Sequence, residues 1–159
     1  MKLRRVVTGH DATGKAVIWK DEVNPNQFHP VDRIVGALMW VTDESPFDFT
    51  KNEDMGALRV GTAPPAGGTR FAVLEIEPGN EFHALHRTDS IDHVICMAGE
   101  IDMHLDEAVV KLAAGDVLIQ RGTSHAWVNR GSAPARLAVI LLDGKPKRAG
   151  SVSGSRLAR

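Results

Sequence analysis

From Thr69 onward apolar and polar residues alternate with a period of two, in short runs broken at close intervals by Gly, Asp and Pro. That is the pattern of half-buried strands joined by tight turns. It predicts strands over Phe71 to Glu77, Glu81 to Thr88, Ile91 to Ala98, Glu100 to Leu105, Val109 to Leu112, Val117 to Gln120, His125 to Asn129 and Arg136 to Leu142. Turn residues fall between them at Pro78-Gly79, Gly99, Asp106-Glu107, Gly115-Asp116, Arg121-Gly122 and Gly131-Ser132. The first sixty-five residues are less regular. Arg4 to Thr8 and Ala16 to Lys20 flank a turn-rich Asp11-Ala12-Thr13-Gly14-Lys15 and read as a hairpin. Phe28 to Val41 reads as a strand on the outside of the main body, and Ser45-Pro46 as the start of a helical turn before Met55.

Many short strands with this punctuation make an all-β chain, a jelly-roll barrel or another β-sandwich. The expected organisation is an N-terminal extension over 1–65, a barrel over 66–143 entered through Ala63-Pro64-Pro65-Ala66-Gly67-Gly68, and a flexible tail over 144–159 without periodicity.

The chain has 159 residues, enough for one domain with a buried core. Nineteen Lys and Arg against twenty Asp and Glu give a formal net charge of -1. No global positive field is available for nucleic acid or an anionic membrane. The basic start, Met1-Lys2-Leu3-Arg4-Arg5, is not followed by an apolar signal segment, and the longest apolar run, Ile34 to Val41, is far too short to span a bilayer. A cytoplasmic protein is expected. Cys96 is the only cysteine, which excludes an intrachain disulfide and a cysteine zinc cage; its alternation with Ile95 and Met97 reads as a buried, inert thiol.

Alternation also locates the chemistry, because residues two apart on a strand share a face. His86 and Thr88 look one way together, as do Asp92, Val94 and Cys96, and His125, Trp127 and Asn129. By the same parity His83, Arg87, His93 and Ala126 face away.

Two ordered blocks carry these residues. The first opens at Pro78-Gly79, runs through His86-x-Thr88-x-x-x-Asp92 and ends at Gly99-Glu100. The second reads Gly115-Asp116, then Gln120-Arg121-Gly122-Thr123-Ser124-His125, then Asn129. Their spacing resembles the two motifs of the cupins, in which a glycine, His-x-His, a Glu and a second glycine are followed by a glycine-rich turn, Pro-x-Gly-x-x-His and Asn. The resemblance covers about half the chain and implies an all-β cupin jelly roll with an N-terminal hairpin. In the family register His86, Asp92 and His125 converge inside the barrel, with Thr88 beside them and Trp127 as an aromatic wall. Cupins commonly hold a metal with three His and one Glu, and here Thr88 and Asp92 stand at two of those positions. Gln120 stands where proline is common.

Two imidazoles and a carboxylate are the donor set of a facial triad, which suits one divalent transition metal, Fe, Mn, Zn or Ni. The same three residues form, without metal, a His–Asp cluster equipped for general acid–base work. The resemblance therefore implies an enzyme of dioxygenase, isomerase, decarboxylase or cyclase type acting on a compact oxygenated or carbonyl-containing small molecule, or else a noncatalytic small-molecule binding or sensing barrel. His86, Asp92 and His125 are the candidate catalytic and metal-binding residues. Thr88, Trp127, Asn129 and Arg121 are candidates for holding the ligand, Arg121 as the partner of a substrate carboxylate. The hairpin is too small to bury both its faces, and cupins commonly dimerise through N-terminal strands, so a homodimer is expected.

Overall fold

A computed structural model describes residues 1–80 and 84–146. Eleven strands follow in chain order: β1 (Arg4–His10), β2 (Ala16–Val23), β3 (Gln27–Val31), β4 (Ile34–Thr42), β5 (Thr69–Ile76), β6 (Ser90–Ala98), β7 (Glu100–His104), β8 (Val109–Ala113), β9 (Val117–Arg121), β10 (Ala126–Val128) and β11 (Ala135–Asp143). A six-stranded sheet in the order β3-β4-β5-β11-β6-β9 and a three-stranded sheet in the order β10-β7-β8 form the jelly roll; β1 and β2 make a separate hairpin. Among the described residues no helix is long and apolar enough to cross a membrane.

The predicted alternation places the core. On β6, Asp92, Val94 and Cys96 are buried while Ile91, Ile95 and Met97 are exposed. Ile76, Val94, Cys96, Ile101, Leu112, Ala135 and Leu137 pack into one apolar cluster at one end of the barrel. Cys96 is fully buried there, and desolvation pushes its thiol pKa up, so it is the inert thiol that the alternation suggests. Gly99 turns the chain from β6 into β7 at φ 72°, where a Cβ would lie 2.7 Å from the Pro134 carbonyl oxygen. Only glycine fits both the conformation and the space.

Three expectations for the N-terminal part and the motif loop need correcting. Phe28 to Val41 is not one strand on the outside of the barrel. It folds back between Val31 and Ile34, with Arg33 at φ 60°, and β4 pairs along β5 inside the main sheet. An arginine in the left-handed region is not a turn signal that a sequence displays. The helical turn is not at Ser45-Pro46 but at Met55–Ala57, capped by Asp54 through Gly56 N–H at 3.0 Å. Finally, of the strand expected over Glu81 to Thr88, 81–83 lie outside the described residues, and over 84–88 there is no regular strand: His86 makes only an isolated bridge to His125. The tail beyond residue 146 also lies outside them.

The hairpin is fastened to its own barrel by Arg5, which is only 2 % exposed and bonds Asp54 through both carboxylate oxygens, at 2.9 and 2.7 Å. Glu22 also contacts this guanidinium. Trp19 meets Trp40 of β4 edge-to-face at 6.2 Å, and Asn24 donates to the Leu38 carbonyl at 2.9 Å. Both tryptophans thus serve packing. Val6, Val17, Ile18 and Val23 remain exposed.

Candidate functional site

Adjoining the apolar cluster, and sharing Ile76 and Val94 with it, lies a cavity of about 480 Å³. One row of inward residues crosses its floor. Register pairs Arg70 of β5 with Leu141 of β11, Leu141 with Asp92 of β6, and Asp92 with Gln120 of β9. All four line the cavity, as do His86, Thr88, His125 and Trp127.

Asp92 is buried at 3 % exposure and has both oxygens engaged: Ser90 Oγ donates to Oδ1 at 2.5 Å and Gln120 Nε2 donates to Oδ2 at 2.7 Å. Burial pushes its carboxyl pKa up, against the downward pull of those two bonds. Thr88 shares a 2.7 Å hydrogen bond with Ser90 and so sits behind the carboxylate in the same chain of hydroxyls.

His125 is held by its own turn. Gly122 at φ 58° brings the backbone round so that the ring Nδ1 lies 3.1 Å from the Thr123 carbonyl oxygen. A carbonyl only accepts, so Nδ1 carries the proton and Nε2 presents its lone pair. That lone pair faces Gln120 Nε2 at 3.5 Å. One amide of Gln120 therefore spans carboxylate and imidazole, while its Oε1 is buried without a hydrogen-bond partner. His86 and His125 exchange backbone hydrogen bonds of 3.0 and 2.9 Å, and their ring centres are 4.3 Å apart. Burial lowers both imidazole pKa values. At His86 the charge of Asp92 offsets this in part; at His125 the Thr123 bond offsets it and His86 adds to it. His125 is buried, and His86 is exposed at the mouth. At neutral pH the lowered pKa values leave a close, tilted pair of uncharged imidazoles near a buried carboxyl group.

A family model described as the cupin domain matches residues 72–141. Phomopsin biosynthesis cluster protein C' of Diaporthe leptostromiformis is 34% identical, an alignment covering 94% of this chain and 86% of that protein. The chain belongs to the cupin superfamily. The cupin-domain-containing oxidoreductase srdD of Neurospora crassa is 30% identical, over 89% of this chain and 75% of its own length. Among solved structures, the cupin domain of Schizosaccharomyces pombe Cnp3 superposes with a TM-score of 0.54 at 12% identity, covering 90% of this chain and 89% of that one; it shares the fold.

Of the positions expected at this cupin's site, His86, Thr88, Asp92, His125 and Trp127 meet at one cavity. Two do not. Asn129 is fully buried elsewhere: its amide donates to the carbonyls of Ile76 (2.8 Å) and Ala133 (2.9 Å), and its oxygen accepts from Gly131 N–H (2.9 Å). With every polar group committed to backbone, it closes a loop. Arg121 is exposed and points off the outer face of β9, as parity with inward Gln120 requires. Arg87 and Ala126, expected to face away, do line the cavity, because the segment around His86 is not a regular strand and β10 is only three residues long. His83 lies outside the described residues.

Three residues of the site, Gln120, Ser90 and Arg70, are not among the positions that motif spacing points to. A signal existed for Gln120, an amide at the inward position of the apolar strand Val117-Leu118-Ile119-Gln120. Ser90 shows itself only through its bonds to Asp92 and Thr88. Arg70 heads a strand otherwise rich in apolar residues.

The donor set does not fit the metal centre that the family motif suggests. Among the described residues no three His, Cys, Asp or Glu gather closely enough to share an ion. Asp92 is tied by Ser90 and Gln120, and the Thr88 hydroxyl is turned to Ser90 rather than to the imidazoles.

Proposed function

We propose that this cupin is an enzyme that moves a proton on a compact, carbonyl-containing small molecule bound in the barrel, with His125 as the base. The observation that carries this reading is the 3.1 Å contact of His125 Nδ1 with the Thr123 carbonyl, which puts the ring proton on Nδ1 and leaves the Nε2 lone pair beside Gln120 on the cavity lining, with burial lowering the ring's pKa. Asp92 and Gln120 hold the ring's neighbourhood polar and fixed, and His86, tilted against His125 at the mouth, can relay the proton to solvent. Removing a proton next to a carbonyl is the shared first step of enolisation, isomerisation, cyclisation and many dehydrations. Relatives spanning most of the chain that are named as oxidoreductases and biosynthesis-cluster proteins support action on a small molecule.

The test is hydrogen–deuterium exchange at carbon next to a carbonyl, followed by proton NMR in D₂O over a panel of small keto acids and ketones. Wild-type protein should accelerate exchange in at least one member, and His125→Ala should lower that rate by about 10²-fold or more. Undiminished exchange in His125→Ala would move catalysis elsewhere. Binding without any exchange would make the protein a noncatalytic ligand barrel instead. Elemental analysis of untagged protein belongs beside it: a stoichiometric Fe, Mn, Zn or Ni ion would mean that His86, Asp92 and His125 rearrange around it.

We also propose that two copies pair through the hairpin, whose Val6, Val17, Ile18 and Val23 stay exposed after its inner side has docked on β4.

A further inference from the structure

Among the described residues two arginines are more than nine-tenths buried, and their surroundings differ. Arg5, at 2 % exposure, has the Asp54 and Glu22 carboxylates. Arg70, at 7 % exposure, has no hydrogen bond and no ion pair among the described residues, and its buried Nε lacks any acceptor. The Phe28 ring lies 5.2 Å from its guanidinium carbon. A guanidinium stays charged at any accessible pH, and a buried charge without a counter-ion is costly. Desolvation is correspondingly the one influence on its pKa, which it lowers. What distinguishes Arg70 from an ill-placed core residue is where it ends: it lines the cavity, on the same cross-strand row as Asp92 and Gln120.

We propose that Arg70 is the anion anchor of this cavity and that the molecule it receives is a compact carboxylic acid with an apolar body. The proposal deepens the acid–base reading, since it rests on the same cavity. A planar fork of N–H donors matches a carboxylate bidentately, and one carboxylate charge balances one guanidinium, whereas a phosphate dianion would leave an uncompensated charge in this buried site. The other arginine on the lining, Arg87, is already paired with Asp89 at 3.2 Å. Leu74, Val139 and Leu141 provide the apolar walls. A volume of about 480 Å³ lies within the range of small-ligand pockets. One strand, β11, separates Arg70 from Asp92, which sets their backbones about 10 Å apart. An acid anchored at Arg70 therefore keeps its charge away from the Asp92 carboxylate and extends its other end toward His125. The role assigned from sequence to Arg121 falls to Arg70.

The full chain, benzoate and its neutral isostere benzamide make the test. Isothermal titration of wild-type protein should show benzoate binding at least about tenfold more tightly than benzamide, and Arg70→Met should remove that preference. In wild-type protein labelled with ¹⁵N, the Arg70 Nε–H resonance, the one absent from the Arg70→Met spectrum, should move with benzoate and stay put with benzamide. Should Arg70→Met fail to fold, an arginine Nε–H resonance that responds to benzoate alone, in wild-type protein, supports the anchor equally well. Equal binding of the two probes, or no arginine resonance that moves at saturating benzoate, overturns the assignment. Neither readout needs turnover. A missing benzoate preference alongside intact keto-acid exchange would remove the Arg70 role alone, and a clear preference with no exchange would remove the acid–base reading alone.

Discussion

The two ends of the barrel are built by the same strands and end in opposite chemistry. On β5 the inward positions run from Arg70 to Ile76, on β6 from Asp92 to Cys96, and on β11 from Leu141 to Leu137. At the closed end these residues pack into a continuous apolar cluster. Farther along the same strands, the inward face carries a guanidinium with no ion pair among the described residues and a buried carboxylate around a cavity. A fold that needed only stability would continue the apolar packing, since each buried polar group must be satisfied and each buried charge offset. The closed end supports the fold and the open end is arranged for a ligand.

Substitutions at equivalent depths should separate the two ends. The largest effect on function is expected at the open end: His125→Ala should lower carbon-acid exchange by about 10²-fold or more while leaving the circular-dichroism spectrum unchanged. The largest effect on stability is expected at the closed end. Leu137→Ala, at 0 % exposure, should cost about 2 to 5 kcal/mol in a denaturant titration. Leu141→Ala borders the cavity and should cost less. Equal costs would mean that the cavity end is packed as tightly as the core.

Asp92→Asn sharpens the comparison. The amide keeps an acceptor for Gln120 and gains a donor for Ser90, while the charge that burial disfavours is removed. Its melting temperature should match or exceed that of wild type, and its exchange rate should fall. A large loss of stability would mean that the carboxylate is structural.

The pH dependence follows from the lowered imidazole pKa values. A base whose folded pKa is depressed binds fewer protons folded than unfolded below about pH 6.5, so its contribution to stability is present above that value and is lost on acidification. Asp92 acts in the opposite sense, because its raised pKa favours the folded state as the carboxyl protonates. The melting temperature of wild type should therefore fall more steeply between about pH 7 and about pH 5 than that of His125→Gln. Parallel curves would mean that His125 titrates as though solvated. The smallest effect concerns assembly: light scattering should report a dimer for the full chain and a smaller species for a chain lacking residues 1 to 22. A monomeric full chain would contradict the dimer, and a dimer surviving truncation would move the interface off the hairpin.

The sequence displayed what depends on alternation and said little about what depends on distant partners. The strands from β5 to β11, the burial of Asp92 and Cys96, and the meeting of His86, Thr88, Asp92, His125 and Trp127 all follow from parity and motif spacing. The turn at Arg33, the helical turn at Asp54 and the inward place of β4 do not, because each is fixed by pairing or an ion pair with residues far along the chain. Arg70 was illegible for the same reason. Its meaning lies in where its guanidinium ends, which only the assembled cavity reveals.

Everything proposed for the cavity depends on His125 standing neutral there, with its proton on Nδ1 and its lone pair turned inward. Long-range ¹H–¹⁵N correlation of the imidazole nitrogens, followed through a pH titration of the wild-type protein, measures this without any substrate. His125 should show the Nδ1–H tautomer and a midpoint below the ordinary histidine value. An Nε2–H tautomer, or an imidazolium persisting at neutral pH, would contradict it.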